Sequence, residues 1–229
     1  MSKSYQLKEV TDFGHFHAVL KEVYRGNKQY LFPLQRDIES ILSAKNNAYN
    51  GTNLTLWIVL EEGKRAVGRI AAFIDRERNK ELELPVGGLG FFESIEDDQV
   101  AELLFDAAEG WLRSEGMHAV DGPINFGERD KFWGLLTRGW YRPVYQETYN
   151  PPYYQRMFED RNYLPHEQCL TMRGIVSQFP SEKLAGIAAS LKEKYGIYTK
   201  QIDKNNLPSA ANDFAEAYNA SFNHWPYFK

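Results

Sequence analysis

Apolar positions recur at i, i+3, i+4 and i+7 spacing through Val100, Leu103, Leu104, Ala107, Trp111 and Leu112. The spacing predicts a helix over 98–114. Glu96, Asp97 and Asp98 place negative charge at the positive end of its dipole. Arg113 falls in the last turn and Gly116 follows as a stop. The flanking runs, 86–94 and 117–125, are short and apolar and read as strands. Together the three form a βαβ unit, which forces parallel strands and a right-handed crossover. A ligand is expected at the carboxyl ends of those strands, near Ser94 and Asn125.

The rest of the chain is read around that unit. Alternation predicts a strand over 5–10. A helix capped by Thr11 or Asp12 follows, with Phe16, Val19, Leu20 and Val23 inward. An apolar loop, 30–34, leads to a second helix over 35–48. Strands at 54–60 and 66–75 flank a glycine turn at 61–64 and form a hairpin. The charged stretch 76–84 reads as a solvated loop. Residues 126–148 are irregular and rich in aromatics, as a functional loop or lid would be. Asn150 is expected to cap a helix over 153–160, with Pro151 and Pro152 in its first turn. Further strands are expected at 168–176 and 197–203, and helices at 182–195 and 210–222. The predicted class is α/β or α+β, a mixed central sheet flanked by helices. Pro180 marks a boundary, giving a domain of 1–178 and an extension of 179–229. The extension repeats, weakly, the strand, helix and aromatic-Pro order of 5–33, as a second similar lobe would begin.

Composition narrows the function. The chain of 229 residues is 43% hydrophobic and 25% charged, enough for a globular core. A net charge of −4 argues against a nucleic-acid partner. No apolar run reaches membrane-spanning length and the polar start lacks a signal-peptide core, so no membrane partner is expected. The single Cys169 forms no internal disulfide and is expected as a small core residue. These features point to a cytoplasmic protein. The aromatic tail 225–228 suggests a homodimer or an interlobe contact.

Three stretches carry a family resemblance. Val67-Gly-Arg-Ile-Ala-Ala-Phe-Ile74 is similar to the third strand of the GNAT fold of acyl-CoA-dependent N-acetyltransferases. Gly90-Phe-Phe-Glu-Ser94, running into Val100 to Ala108, Trp111 and Gly116, resembles its fourth strand and long central helix. Asn150-Pro-Pro-Tyr-Tyr-Gln-Arg-Met-Phe158 through Tyr163 resembles its late helix. The pairing of Gly122-Pro-Ile-Asn125 with Tyr149-Asn-Pro-Pro-Tyr-Tyr154 resembles a poorly characterised bacterial group of that superfamily. The resemblance implies acetyl-CoA as cofactor and a small-molecule amine as acceptor. It implies cofactor contacts from Phe91, Phe92, Ser94, Gln99, Asn125 and Asn150. Glu93 would be the base acting through water, and Tyr153 or Tyr154 the acid.

Two features depart from the family pattern. The family binds the CoA diphosphate on a glycine-rich loop at the start of the central helix. Here that loop reads Ser94-Ile-Glu-Asp-Asp-Gln-Val-Ala101, without glycine or arginine. Like charges a few ångströms apart repel by roughly 1 kcal/mol even in water. The family's general-acid tyrosine falls on Phe158, leaving Tyr153, Tyr154, Tyr149 or Tyr145 as substitutes. The expected function is therefore an acyl-CoA-dependent N-acyltransferase, with a non-catalytic ligand- or protein-binding domain as the alternative. In that alternative 126–145 would be the recognition surface. Residue roles outside the resemblance are bland. His15 and His17 face apart, and the glycines of 86–90 serve to let the strand splay or bulge.

Overall fold

A computed structural model describes residues 3–80, 82–128, 131–197 and 199–223. They divide into two compact units, Met1–His166 and Glu167–Lys229.

The first unit is built on a five-stranded sheet in the order β1 (Tyr5–Glu9), β2 (Leu54–Glu61), β3 (Arg65–Phe73), β4 (Val86–Ser94) and β5 (Ala119–Asp121). Neighbours are antiparallel except β4 and β5, which run parallel around the crossover helix α4 (Asp98–Ser114). The sheet is thus mixed and the class α+β, as expected. β2, β3 and β4 are buried in both phases because both faces of the sheet are covered there. Trp57 and Val59 point into a core shared with Val100, Leu104, Phe105, Ala108 and Leu112 of α4. Leu56, Ile58 and Leu60 point into a second core, closed by Phe16 and Val19 of α1 (Gly14–Val23) and Ile38 and Ile41 of α2 (Gln35–Ile41).

The glycines of β4 serve close packing. A Cβ on Gly87 would meet the Leu112 side chain at 2.5 Å, and one on Gly88 the Phe73 ring at 2.2 Å. A Cβ on Gly90 would lie 1.9 Å from the Ile124 carbonyl oxygen, so only glycine lets the β5 chain pass this close. The splay arises one residue further on. Arg69 pairs with Glu93 and Ala71 with Gly90, so Ile70 alone opposes Phe91 and Phe92. That bulge holds Phe91 at φ +53°.

Several elements differ from expectation. The second helix stops at Ile41, where Asn46 takes over by donating its amide to the carbonyls of Ile41 and Phe126. The charged loop contains a one-turn helix, α3 (Arg76–Asn79), capped by Asp75, and Arg78 pairs with Asp121. β5 is only three residues long and ends before Gly122–Pro123, because proline has no N–H to continue the ladder. In α5 (Tyr154–Asp160) no side chain caps the start; Asn150 is engaged elsewhere.

In the second unit, 168–176 and 197–203 form no strand among the described residues. Short apolar runs do not make strands without a pairing edge. Cys169 is exposed rather than in a core. Helices α6 (Ser181–Tyr195) and α7 (Leu207–Phe222) form; Gly196 at φ +67° ends α6, and Asn206 caps α7. The tail 225–228 lies outside the described residues. Among those described, no helix is long and apolar enough to cross a membrane.

The glycine packing gives a paired prediction. Gly90→Ala should destabilise by about 3 kcal/mol or more in urea unfolding, since the clash is with backbone. Gly110→Ala, mid-helix with open space around the new methyl, should stabilise by about 0.5–1 kcal/mol.

Candidate active site

Beyond Leu89, β4 continues without β5 at its side. Ile124 N–H still donates to the Leu89 carbonyl at 2.8 Å, and then the chain turns away. The opening between them is a cavity of about 370 Å³. Its floor is Phe91, Phe92 and Glu93 of β4 with Arg69 of β3. Its walls come from 30–34, from 132–135, from 143–150 and from Tyr154 and Phe158 of α5. This is the carboxyl end of the parallel pair, where the sequence placed the ligand.

Glu93 is the buried carboxylate of the cavity lining. Its Oε2 accepts hydrogen bonds from Tyr24 at 2.8 Å and Tyr154 at 2.9 Å. Its Oε1 lies 3.6 Å from Nη2 of Arg69. Burial pushes the Glu93 carboxyl up to about 7, against the opposing pull of the Arg69 charge and the hydrogen bonds from Tyr24, Tyr154 and Arg69. Burial and the Glu93 charge hold both tyrosines well above their ordinary range. Arg69 is 2% exposed, donates to the Phe16 carbonyl at 3.1 Å and lies 4.7 Å over the Phe16 ring. Its Nε has no hydrogen-bond partner.

The candidate residues separate into those at the cavity and those away from it. Phe91, Phe92, Glu93, Asn150 and Tyr154 line it. Asn150 does so by clamping the loop: its amide accepts from Leu136 N–H at 2.7 Å and donates to the carbonyls of Leu136 and Pro151. Tyr153 donates to the Ser94 carbonyl at 2.7 Å, and Ser94 itself is wholly buried. Gln99 lies on the exposed first turn of α4. Asn125 lines a separate hollow of about 20 Å³ with Arg78 and Asp75, and donates to the Glu128 carbonyl. Phe158 packs edge-on against Phe92 and Phe105. Tyr149 lines the cavity beside Tyr30, and Tyr145 at its margin donates to Asp37.

Sequence reasoning missed Arg69, Tyr24 and the loop 30–34. Arg69 carried a signal, a lone charge in the apolar run Val67 to Ile74.

The start of α4 does not fit a diphosphate. Asp97 caps its own helix, accepting from Gln99 N–H at 3.0 Å, and also accepts from the Tyr5 hydroxyl at 2.7 Å. Asp98 pairs with Arg156 at 2.6 Å. Phosphate brought here would displace the chain's own cap and meet three acids.

No family model matches the chain. It is 30% identical over 153 residues to Protein YghO of Escherichia coli, a match covering 66% of this chain and 39% of that protein. It is 27% identical over 159 residues to the bacterial ceramide synthase of Caulobacter vibrioides, covering 69% and 41%. The chain thus spans about two fifths of the length of these curated relatives. Among the solved structures it is similar to are aminoglycoside N-acetyltransferases and a glucosamine-6-phosphate N-acetyltransferase. One is the aminoglycoside acetyltransferase AAC(6′)-Iy in complex with a CoA bisubstrate analogue. That match has a TM-score of 0.44 and 15% identity, covering 75% of this chain and 99% of that one.

The raised Glu93 fixes a sign for stability against pH. Between its ordinary 4.5 and about 7 the folded state holds a proton that the unfolded chain has lost. The contribution is fully present below 4.5 and is lost as pH rises through 7. Native stability should fall by on the order of 3 kcal/mol across that window relative to Glu93→Gln, measured by urea unfolding at each pH.

Proposed function

We propose that this chain carries the acyl-transfer site of an N-acyltransferase whose acceptor is a long-chain amine. One observation carries the reading: a buried carboxylate, hydrogen-bonded by two tyrosines and raised by burial toward neutrality, lines a largely apolar cavity at the open end of the parallel pair. The GNAT resemblance supports acyl transfer to nitrogen. The name of the Caulobacter relative supports the acceptor class, since a ceramide is the amide of a fatty acid and a long-chain amino alcohol. A lining of Phe91, Phe92, Phe132 and Leu135 suits an alkyl chain.

In this reading the lone pair of the neutral amine attacks the carbonyl carbon of an acyl thioester. The C–N bond forms and the C–S bond breaks. Glu93 accepts the proton released by nitrogen and returns it to the departing sulfur. A carboxyl near 7 suits both steps, because at neutral pH much of it is ionised and its acid form is stronger than a thiol of about 8.5. Tyr24 and Tyr154 keep their protons and orient the carboxylate; Arg69 keeps it from neutralising altogether. Tyr153, turned to the Ser94 carbonyl, supports the same strand end. The bulge at Phe91 and Phe92 supports backbone N–H groups there as oxyanion donors. No step runs through a CoA diphosphate at α4, and the donor is written as a thioester alone.

The test is to supply a long-chain acyl-CoA and a long-chain amino alcohol and detect the amide by mass spectrometry. Glu93→Gln should cut kcat about 10²- to 10⁴-fold. The wild-type kcat/KM should rise through an ionisation near pH 7, and Tyr154→Phe should move that limb upward, since it removes a hydrogen bond to the ionised form. A folded chain that makes no amide with these substrates would sink the reading in favour of a binding domain.

A further inference from the structure

The cavity opens through a rim that is itself apolar. Leu31, Phe32 and Leu34 on one loop and Val144 and Tyr145 on another both line the cavity and reach solvent. Phe32 is 56% exposed, Val144 62% and Tyr145 63%. Both Tyr145 and Gln146 donate to Asp37, which holds the second loop beside the first. The charge around this rim runs against the chain as a whole. Residues 28–37 and 138–147 hold Lys28, Arg36, Arg138 and Arg142 against Asp37, which lies 3.6 Å from Arg36, and Glu147, an excess of two positive charges in a chain of net charge −4. All four cations are exposed. Exposed apolar side chains next to basic ones, continuous with an apolar cavity, match the two layers of an anionic bilayer surface.

We infer that the cavity mouth docks on an anionic lipid bilayer, with Phe32 and Val144 entering the acyl boundary and Arg36 and Arg142 meeting headgroups. The inference rests on the long-chain reading of the cavity. An amine with a long alkyl chain resides in the bilayer, and a mouth seated there receives it without passage through water. Such docking is peripheral and differs from the sequence expectation of no membrane partner, which rested on the lack of a spanning segment.

Flotation of the chain with phosphatidylcholine vesicles, with and without phosphatidylglycerol, tests this in the absence of any substrate. Binding is expected only with phosphatidylglycerol and should weaken as salt rises. Each cation near such a surface strengthens binding about fivefold, so Arg36→Glu/Arg142→Glu should lose at least about tenfold. Phe32→Glu/Val144→Glu should lose as much, and circular dichroism with a thermal melt confirms that both variants fold. Equal flotation of wild type and the Phe32→Glu/Val144→Glu variant overturns the inference. So does absence of flotation, including the case of a Phe32-dependent dimer in sedimentation, where a second copy covers the rim. Amide formation in detergent micelles separates the two readings. Micellar activity without vesicle binding overturns the docking alone, and vesicle binding without amide overturns the catalytic reading alone.

Discussion

The site depends on one buried ion pair, Arg69 with Glu93. The two residues are cross-strand partners on β3 and β4, and each is nearly removed from water. Desolvating two charges is expensive, and their attraction offsets it only when the remaining donors and acceptors find partners. Those partners come from two other elements. Tyr24 follows α1, Tyr154 opens α5, and the Phe16 carbonyl and ring lie in α1. The pair therefore fixes the placement of α1 and α5 on the sheet as well as the ionisation of the carboxylate. The balance is incomplete: burial still dominates at Glu93, and Arg69 Nε has no partner. A carboxylate left partly destabilised in this way is suited to exchanging protons near neutral pH.

The opening in which Glu93 sits is made by two backbone features. Gly90 lets the β5 chain cross against β4, and the bulge at Phe91 and Phe92 then turns β4 away from its regular ladder. Close packing and divergence occur within a few residues of each other, so the cavity begins where the core ends. The segment 132–149 then closes the far wall, held by the Asn150 clamp on Leu136 and by Thr148 donating to the Trp133 carbonyl.

Electrostatics divides the surface of the first unit. Acids close the start of α4, where Asp97 caps its own helix and Asp98 holds Arg156. Cations gather in the sequence around the cavity mouth. An anion is thus disfavoured at the helix start, where the family resemblance implies the cofactor's diphosphate.

The central helix and the parallel pairing of the strands beside it were legible in the sequence, because each rests on local periodicity and on the handedness of a crossover. α4 matches its expected bounds, since an apolar stripe with acids at one end and glycine beyond the other leaves little to tertiary context. Glu93 stood out as a carboxylate at a strand end. Its partners did not, because Arg69, Tyr24 and Tyr154 are brought together across separations of up to 130 residues of chain by sheet register and helix packing. Asn125 and Gln99 lay near the site in sequence yet were carried elsewhere by the turn after Ile124 and by the first turn of α4. The strands expected in the second unit failed because a short apolar run becomes a strand only where an edge offers it hydrogen bonds. Sequence by itself determined the elements whose stabilising contacts are local; the tertiary structure decided which buried charges meet, because burial is a property of the whole packing.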